Sequence, residues 1–128
     1  MDQPPADFPE ALFHWPTAVC VADPTQDDCP LIFVNDWFCR MTEYRAVEVI
    51  GRNCRFLQGD GTDPVEVERL KREIVNAGEG GAVLLNYTKY KRPFLNNIFI
   101  QTIQSDSGGK YLLGLQFDVT QTVARRTA

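Results

Sequence analysis

Apolar positions in this chain alternate with period two toward both ends and recur at helical spacing between them. Residues 17–22 (TAVCVA) and 30–34 (PLIFV) are short apolar runs, the first closed by Asp23-Pro24 and the second by Asn35-Asp36. Each reads as a strand, because turn-forming residues end it. Asn35 and Asp36 can cap a helix through Trp37, Phe38 and Met41, and a short helix over 45–49 follows before Gly51. The longest helix is expected over 63–76. Asp63 caps it, Pro64 suits the first helical position, Glu66 completes a capping-box-like pair, and Gly78 stops it. Val67, Leu70, Ile74 and Val75 are expected to form its buried stripe. Three strands follow over 82–88, 94–103 and 111–119, separated by turns at 89–92 and 105–109. Two strands, a block of helices and a three-strand meander predict an α+β domain: a five-stranded antiparallel sheet with helices packed on one face. The domain is expected over 16–120, after an arm or cap over 1–15 that holds one helical turn at 9–13, and before a tail or linker over 121–128.

Strand parity sharpens this picture. Leu84, Asn86 and Thr88 share one face, as do Phe94, Asn96, Ile98 and Ile100, and Leu112, Gly114 and Gln116. Each strand thus carries one carboxamide among small or apolar neighbours. A buried amide without a partner costs about 1–3 kcal/mol, so three facing inward imply a polar ligand or a mutual network. The opposite faces carry Val83, Leu85, Tyr87, Leu95, Phe99, Leu113, Leu115 and Phe117, which is too apolar for a face left in water. The expected cover is a second copy of the chain, giving a homodimer to which Phe8, Leu12, Phe13 and Trp15 contribute.

Composition narrows the function. With 128 residues, 44% of them apolar and 23% charged, the chain fits one domain around one core. A net charge of −4 argues against a nucleic-acid partner, which would require a basic face. No apolar run approaches the ~18 residues that cross a bilayer, and the N-terminal Met-Asp-Gln-Pro-Pro does not resemble a signal peptide, so a cytoplasmic location is expected. Cys20, Cys29, Cys39 and Cys54 contain no CxxC pair, and His14 is the single histidine, so the spacing of a zinc site is absent. All four read as free thiols. Cys20, within its apolar strand, reads as a small buried hydrophobe, and His14 beside Trp15 as packing or surface.

The stretch Gly51-Arg52-Asn53-Cys54-Arg55-Phe56-Leu57-Gln58-Gly59 sets one thiol at the start of a short helix, beside cationic and amide side chains. Together with Asn86-Tyr-Thr-Lys, Pro93-Phe-x-Asn and Gly114-x-Gln, it resembles the signature of the LOV (light, oxygen, voltage) domains, a flavin-binding branch of the PAS family. The likeness spans roughly residues 17–122, and the order of elements is that of the PAS fold. The resemblance implies a blue-light photoreceptor that binds FMN and forms a reversible cysteinyl adduct at the flavin C4a atom through Cys54. It implies that Asn86, Asn96 and Gln116 hold the pyrimidine end of the ring. Gln116 also faces N5 and relays the signal along the last strand, because N5 changes from acceptor to donor in the adduct. Arg55 and Gln58 fall at the phosphate end. Lys71 stands where the family commonly has a second arginine, with Arg72 as a substitute cation. Asn53, Leu57, Val67, Leu70, Ile98, Leu112 and Gly114 complete the expected cofactor pocket. The short link 59–62 favours FMN over FAD.

Two positions depart from the family pattern: Cys29 replaces a frequent asparagine near the ribityl chain, and Leu95 replaces an aromatic but points away by parity. Cys54 is expected to stay protonated, its pKa raised by apolar surroundings, with no catalytic base needed. No enzymatic turnover is expected. Two other readings remain: a flavin-dependent redox protein, against which stand the missing GxGxxG fingerprint and the lack of a second cysteine nearby in sequence, and a flavin-free PAS interaction module.

Overall fold

The computed structural model describes residues 14–122; the expected helical turn over 9–13, all but the last two residues of the arm over 1–15, and the tail beyond 122 lie outside them. Strands β1 (Ala18–Ala22), β2 (Leu31–Val34), β3 (Glu79–Tyr87), β4 (Pro93–Gln104) and β5 (Lys110–Asp118) form one antiparallel sheet in the order β2-β1-β5-β4-β3. Between β2 and β3 lie helices α1 (Asp36–Thr42), α2 (Ala46–Val49) and α3 (Pro64–Ala77), with a single 3-10 turn at Cys54–Leu57 before α3. The α+β class and the five-stranded sheet are as the residue pattern predicts.

The register fixes the faces. Cys20 lies opposite Gly114 and Ala18 opposite Gln116 across β1–β5. Ile98 lies opposite Gln116 across β4–β5, and Leu84 opposite Asn96 across β3–β4. Cross-strand partners share a face, so Cys20 joins the three amides on the inner side. There Leu70 packs with Leu84 and Ala82, flanked by Val67, Ile74, Ile98 and Ile100. Phe38, Val49, Leu57, Leu31 and Val34 fill the other half.

Capping explains the helix starts. Asn35 Oδ1 accepts from Phe38 N and from Val19 N, both at 3.0 Å, and its Nδ2 donates to Thr17 O at 2.8 Å, tying α1 to β1. Asp63 caps α3 by accepting from Val65 N at 2.9 Å. The capping-box partner expected of Glu66 is not made: its carboxylate accepts from Arg69 Nε at 2.9 Å, and Arg69 also reaches Glu73. Val75 does not join the buried stripe; it is 82% exposed. Five residues beyond Leu70, it is turned about 140° around the helix axis from the buried line.

β3 begins at Glu79, immediately after the helix cap Gly78, rather than at 82. Gly80 and Gly81 resemble turn residues in sequence, but their role is close approach. A Cβ at Gly80 would sit 2.7 Å from Glu73 Oε1 and 3.2 Å from Leu70 Cδ1, so only glycine lets α3 lie this near the sheet. On the outer face Val19, Val21, Phe33 and Leu113 are buried, whereas Val83, Phe99 and Phe117 stay exposed. Gly80→Ala should destabilise the domain by about 1–3 kcal/mol through overpacking, whereas Val75→Ala should change stability by less than about 0.5 kcal/mol. Urea unfolding of both variants checks this, and equal midpoints would contradict the packing described.

Candidate functional site

Between the inner sheet face, α3 and the 3-10 turn lies a cavity of about 560 Å³, within the size range of small-molecule pockets. The 3-10 turn and its flanks contribute Asn53, Cys54, Arg55, Leu57 and Gln58 to the lining; α3 contributes Val67, Leu70 and Lys71. The sheet contributes Asn86, Ile98, Leu112, Gly114 and Gln116. Every site residue singled out from the sequence therefore lines one cavity, apart from Asn96. Arg72 does not line it either, which leaves Lys71 as the α3 cation there.

Asn96 sits behind the wall, fully buried, and organises the two amides that face the cavity. Its Nδ2 donates to Asn86 Oδ1 at 3.0 Å and to Gln116 Oε1 at 2.9 Å. Asn86 Nδ2 in turn donates to Leu85 O at 3.2 Å, and Gln116 Nε2 to Cys20 Sγ at 3.1 Å. Asn96 Oδ1 is buried without a hydrogen-bond partner. The mutual network read from strand parity is present, and it retains one unsatisfied acceptor.

At the cavity's mouth Asn53 works as a brace. Its Oδ1 accepts from Arg55 N at 2.9 Å, capping the 3-10 turn, and its Nδ2 donates to Asp28 O at 2.8 Å. Arg55 forms a two-point ion pair with Asp28, with Nη1 donating to Oδ1 at 2.8 Å and Nη2 to Oδ2. The guanidinium holds the Asp28 carboxyl below the usual range. Asp28 and Cys29 both have positive φ, 64° and 46°, so the loop turns sharply here and brings Cys29 to the lining.

The thiol differs from the sequence expectation. Cys20, on β1, lines the same cavity as Cys54, and the two thiols shift each other's titration. Their interaction draws Cys54 below the ordinary thiol pKa, against the upward pull of burial, and pushes Cys20 well above it, with burial adding to the rise. Cys54 is thus lowered rather than raised: reading its environment from neighbouring residues in sequence left out the sulfur across the sheet. Cys20 is buried as expected, but it is a polar member of the site as well as packing.

Other lining residues that sequence reasoning missed are Ala22, Pro24, Gln26, Asp28, Leu31, Ile74, Leu84 and Ile100. Leu84 and Ile100 carried a signal, since parity places them beside the amides. In the loop between β1 and β2 only Cys29 carried one, through the family resemblance; the approach of the rest depends on the Asn53 and Arg55 contacts.

Residues 16–121 match the PAS domain family. The chain is 43% identical over 110 residues to blue-light-activated histidine kinase 1 of Erythrobacter litoralis, covering 85% of this chain and 31% of that protein. It is 41% identical over 102 residues to a blue-light photoreceptor of Listeria innocua, covering 80% of this chain and 40% of that protein. Among solved structures, the LOV domain of a blue-light-activated histidine kinase from Erythrobacter litoralis superposes with a TM-score of 0.77 at 42% identity, covering 83% of this chain and 98% of that one. The chain is a LOV domain of the PAS family. It spans about a third of the first of those kinases. Another LOV neighbour, described as an RNA-binding light-oxygen-voltage receptor, superposes with a TM-score of 0.80 at 32% identity, over 97% of this chain and 38% of that one. Within this LOV domain the signature thiol, the amide network and the arginine of the 3-10 turn are gathered around one cavity.

Proposed function

We propose that this LOV domain is a blue-light receptor that holds FMN in the cavity and bonds to it reversibly through Cys54, at the flavin C4a atom. One observation carries the reading: a signature thiol and a buried carboxamide network face the same ligand-sized, largely apolar space. Bound flavin would supply blue absorption and a photoexcited ring carbon open to attack by sulfur. A ring edge that alternates carbonyl acceptors with an N–H donor suits amides, which offer both kinds of group. Asn86 and Gln116 are the amides that face the cavity, and Asn96 behind them orients both. At the mouth, Gln58 and Lys71 suit a phosphate, and Arg55 would join them on exchanging its solvent-exposed pair with Asp28; the short turn from Gly59, closed by Thr62 N donating to Gly59 O at 3.0 Å, favours FMN over FAD.

Gln116 is the proposed relay. It is bonded at one end to Asn96 and at the other to Cys20, and it lies two residues before the end of β5. An exchange of its donor and acceptor ends would alter both contacts at once. The domain is then a sensor rather than an enzyme, acting through an effector or partner. Its free cysteines suit a reducing compartment such as the cytoplasm, and no helix among the described residues is long and apolar enough to cross a membrane.

For the outer face, the proposed cover is a second copy, seated on Val83, Phe99 and Phe117, where the two phenylalanine rings meet edge to face at 6.1 Å.

Purified protein reconstituted with FMN should show a structured flavin band that bleaches under blue light and recovers in darkness. Cys54→Ala should keep the band and lose the bleaching; bleaching that survives this change would remove Cys54 from the photochemistry. Gln116→Leu should keep flavin and bleaching but weaken the light-induced change in the amide region of the infrared difference spectrum, and an undiminished change would remove Gln116 from the relay. Light scattering should give the mass of two chains, falling toward one in Phe99→Lys; a monomeric wild-type protein in darkness and in light would end the dimer proposal.

A further inference from the structure

The photochemical reading needs one thiol, yet Cys20 and Cys29 line the same cavity, and Cys54 packs against the core cluster to which Cys20 belongs. Cys20 comes from β1 and Cys54 from the 3-10 turn, and the fold brings them together across more than thirty positions of sequence. Room for the Cys20 sulfur comes from Gly114 on the neighbouring strand, where a Cβ would lie 2.7 Å from it. The sulfur accepts from Gln116 Nε2 at 3.1 Å and faces the cavity that Cys54 also lines. Both cysteines are free thiols. Lack of a neighbouring cysteine in sequence counted against redox chemistry at Cys54; the sheet supplies one.

We propose that Cys20 and Cys54 are a dithiol–disulfide couple, in which a peroxide links the two sulfurs inside the cavity and thereby withdraws Cys54 from photochemistry. The withdrawal rests on the function proposed above; the linkage does not. Cys54 thiolate attacks one peroxide oxygen, the O–O bond breaks, and the departing hydroxide takes a proton to become water. Cys54 is left as a sulfenic acid, its sulfur oxidised by two electrons and the peroxide reduced. Cys20 then gives up its proton and its sulfur attacks that of Cys54. The S–S bond forms, the S–O bond breaks, and a second water leaves. Two thiols and one peroxide become one disulfide and two waters.

The order of events follows from exposure. Cys54 is half-buried whereas Cys20 is buried, so Cys54 is the sulfur a small oxidant reaches first, and its lowered pKa acts in the same direction. Cys20, on the strand that lines the same cavity, is placed as the resolving thiol. Donation from Gln116 Nε2 to the Cys20 sulfur favours its deprotonation at the second step. A cavity of about 560 Å³ gives a small oxidant ample room.

The test treats the purified chain with hydrogen peroxide, blocks remaining thiols by alkylation, and maps linkages by mass spectrometry. The expected result is loss of two hydrogens and a cross-linked pair of peptides holding Cys20 and Cys54, reversed by dithiothreitol. In FMN-loaded protein, bleaching amplitude should fall in proportion to the linked fraction and return on reduction. Cys20→Ala should lose no hydrogens and should accumulate added oxygen on Cys54. A linkage to Cys29 or Cys39, no linkage at all, or hydrogen loss in Cys20→Ala equal to the wild type would overturn the couple. Undiminished bleaching in fully linked protein would overturn the withdrawal of Cys54. A Cys20–Cys54 linkage in a protein whose reduced form never bleaches would support the couple while overturning the photochemical reading.

Discussion

The ladder between β1 and β5 is the constraint on which the rest depends. It joins the first and last strands of the domain and carries the Cys20–Gln116 contact across 96 positions of sequence. Closing so long a loop costs only slowly more than closing a short one, and the return is that β5 has hydrogen-bonded neighbours on both sides. A slip of one residue would carry Gln116 to the outer face and bring Phe117 inward. Register on this one ladder decides whether the polar site exists.

Given that register, the site is economical in donors. The single NH₂ group of Asn96 serves two acceptors on two other side chains, so the orientation of one amide is settled by the other two. Such networks act as units, and the low dielectric that strengthens them makes any unmatched member costly. Asn53 plays the same part at the mouth, using both ends of its amide to hold the loop before β2 against the turn that carries Cys54.

Much of this was legible in the residue pattern. Alternation placed Asn86, Asn96 and Gln116 on one face, and the helix caps Asn35 and Asp63 are where their neighbours predict them. What was not legible depends on distances between segments. Gly80 and Gly81 resemble a turn until Glu73 and Leu70 are seen packed against the first of them. Val75 looked buried because a stripe read in one dimension omits the rotation of the helix. Cys20 looked inert because its partners lie on the last strand and in the 3-10 turn, and Arg55 looked free for an anion because Asp28 approaches it from 27 positions away.

The seam between α3 and β3 also shows how one wall of the cavity is anchored. Gly78 receives the helix's last turn through its N–H, bonded to Ile74 O at 2.8 Å, while its carbonyl accepts from Thr102 N at 2.7 Å. The C-terminal cap of the helix that bears Leu70 and Lys71 is therefore bonded through the main chain to β4, beside the edge strand it leads into. The opposite lip is fastened differently, by a solvent-exposed Asp28–Arg55 pair that salt screens. The two walls thus differ in what holds them, main-chain bonds on one side and an exposed ion pair on the other, and of the two only the second weakens as ionic strength rises.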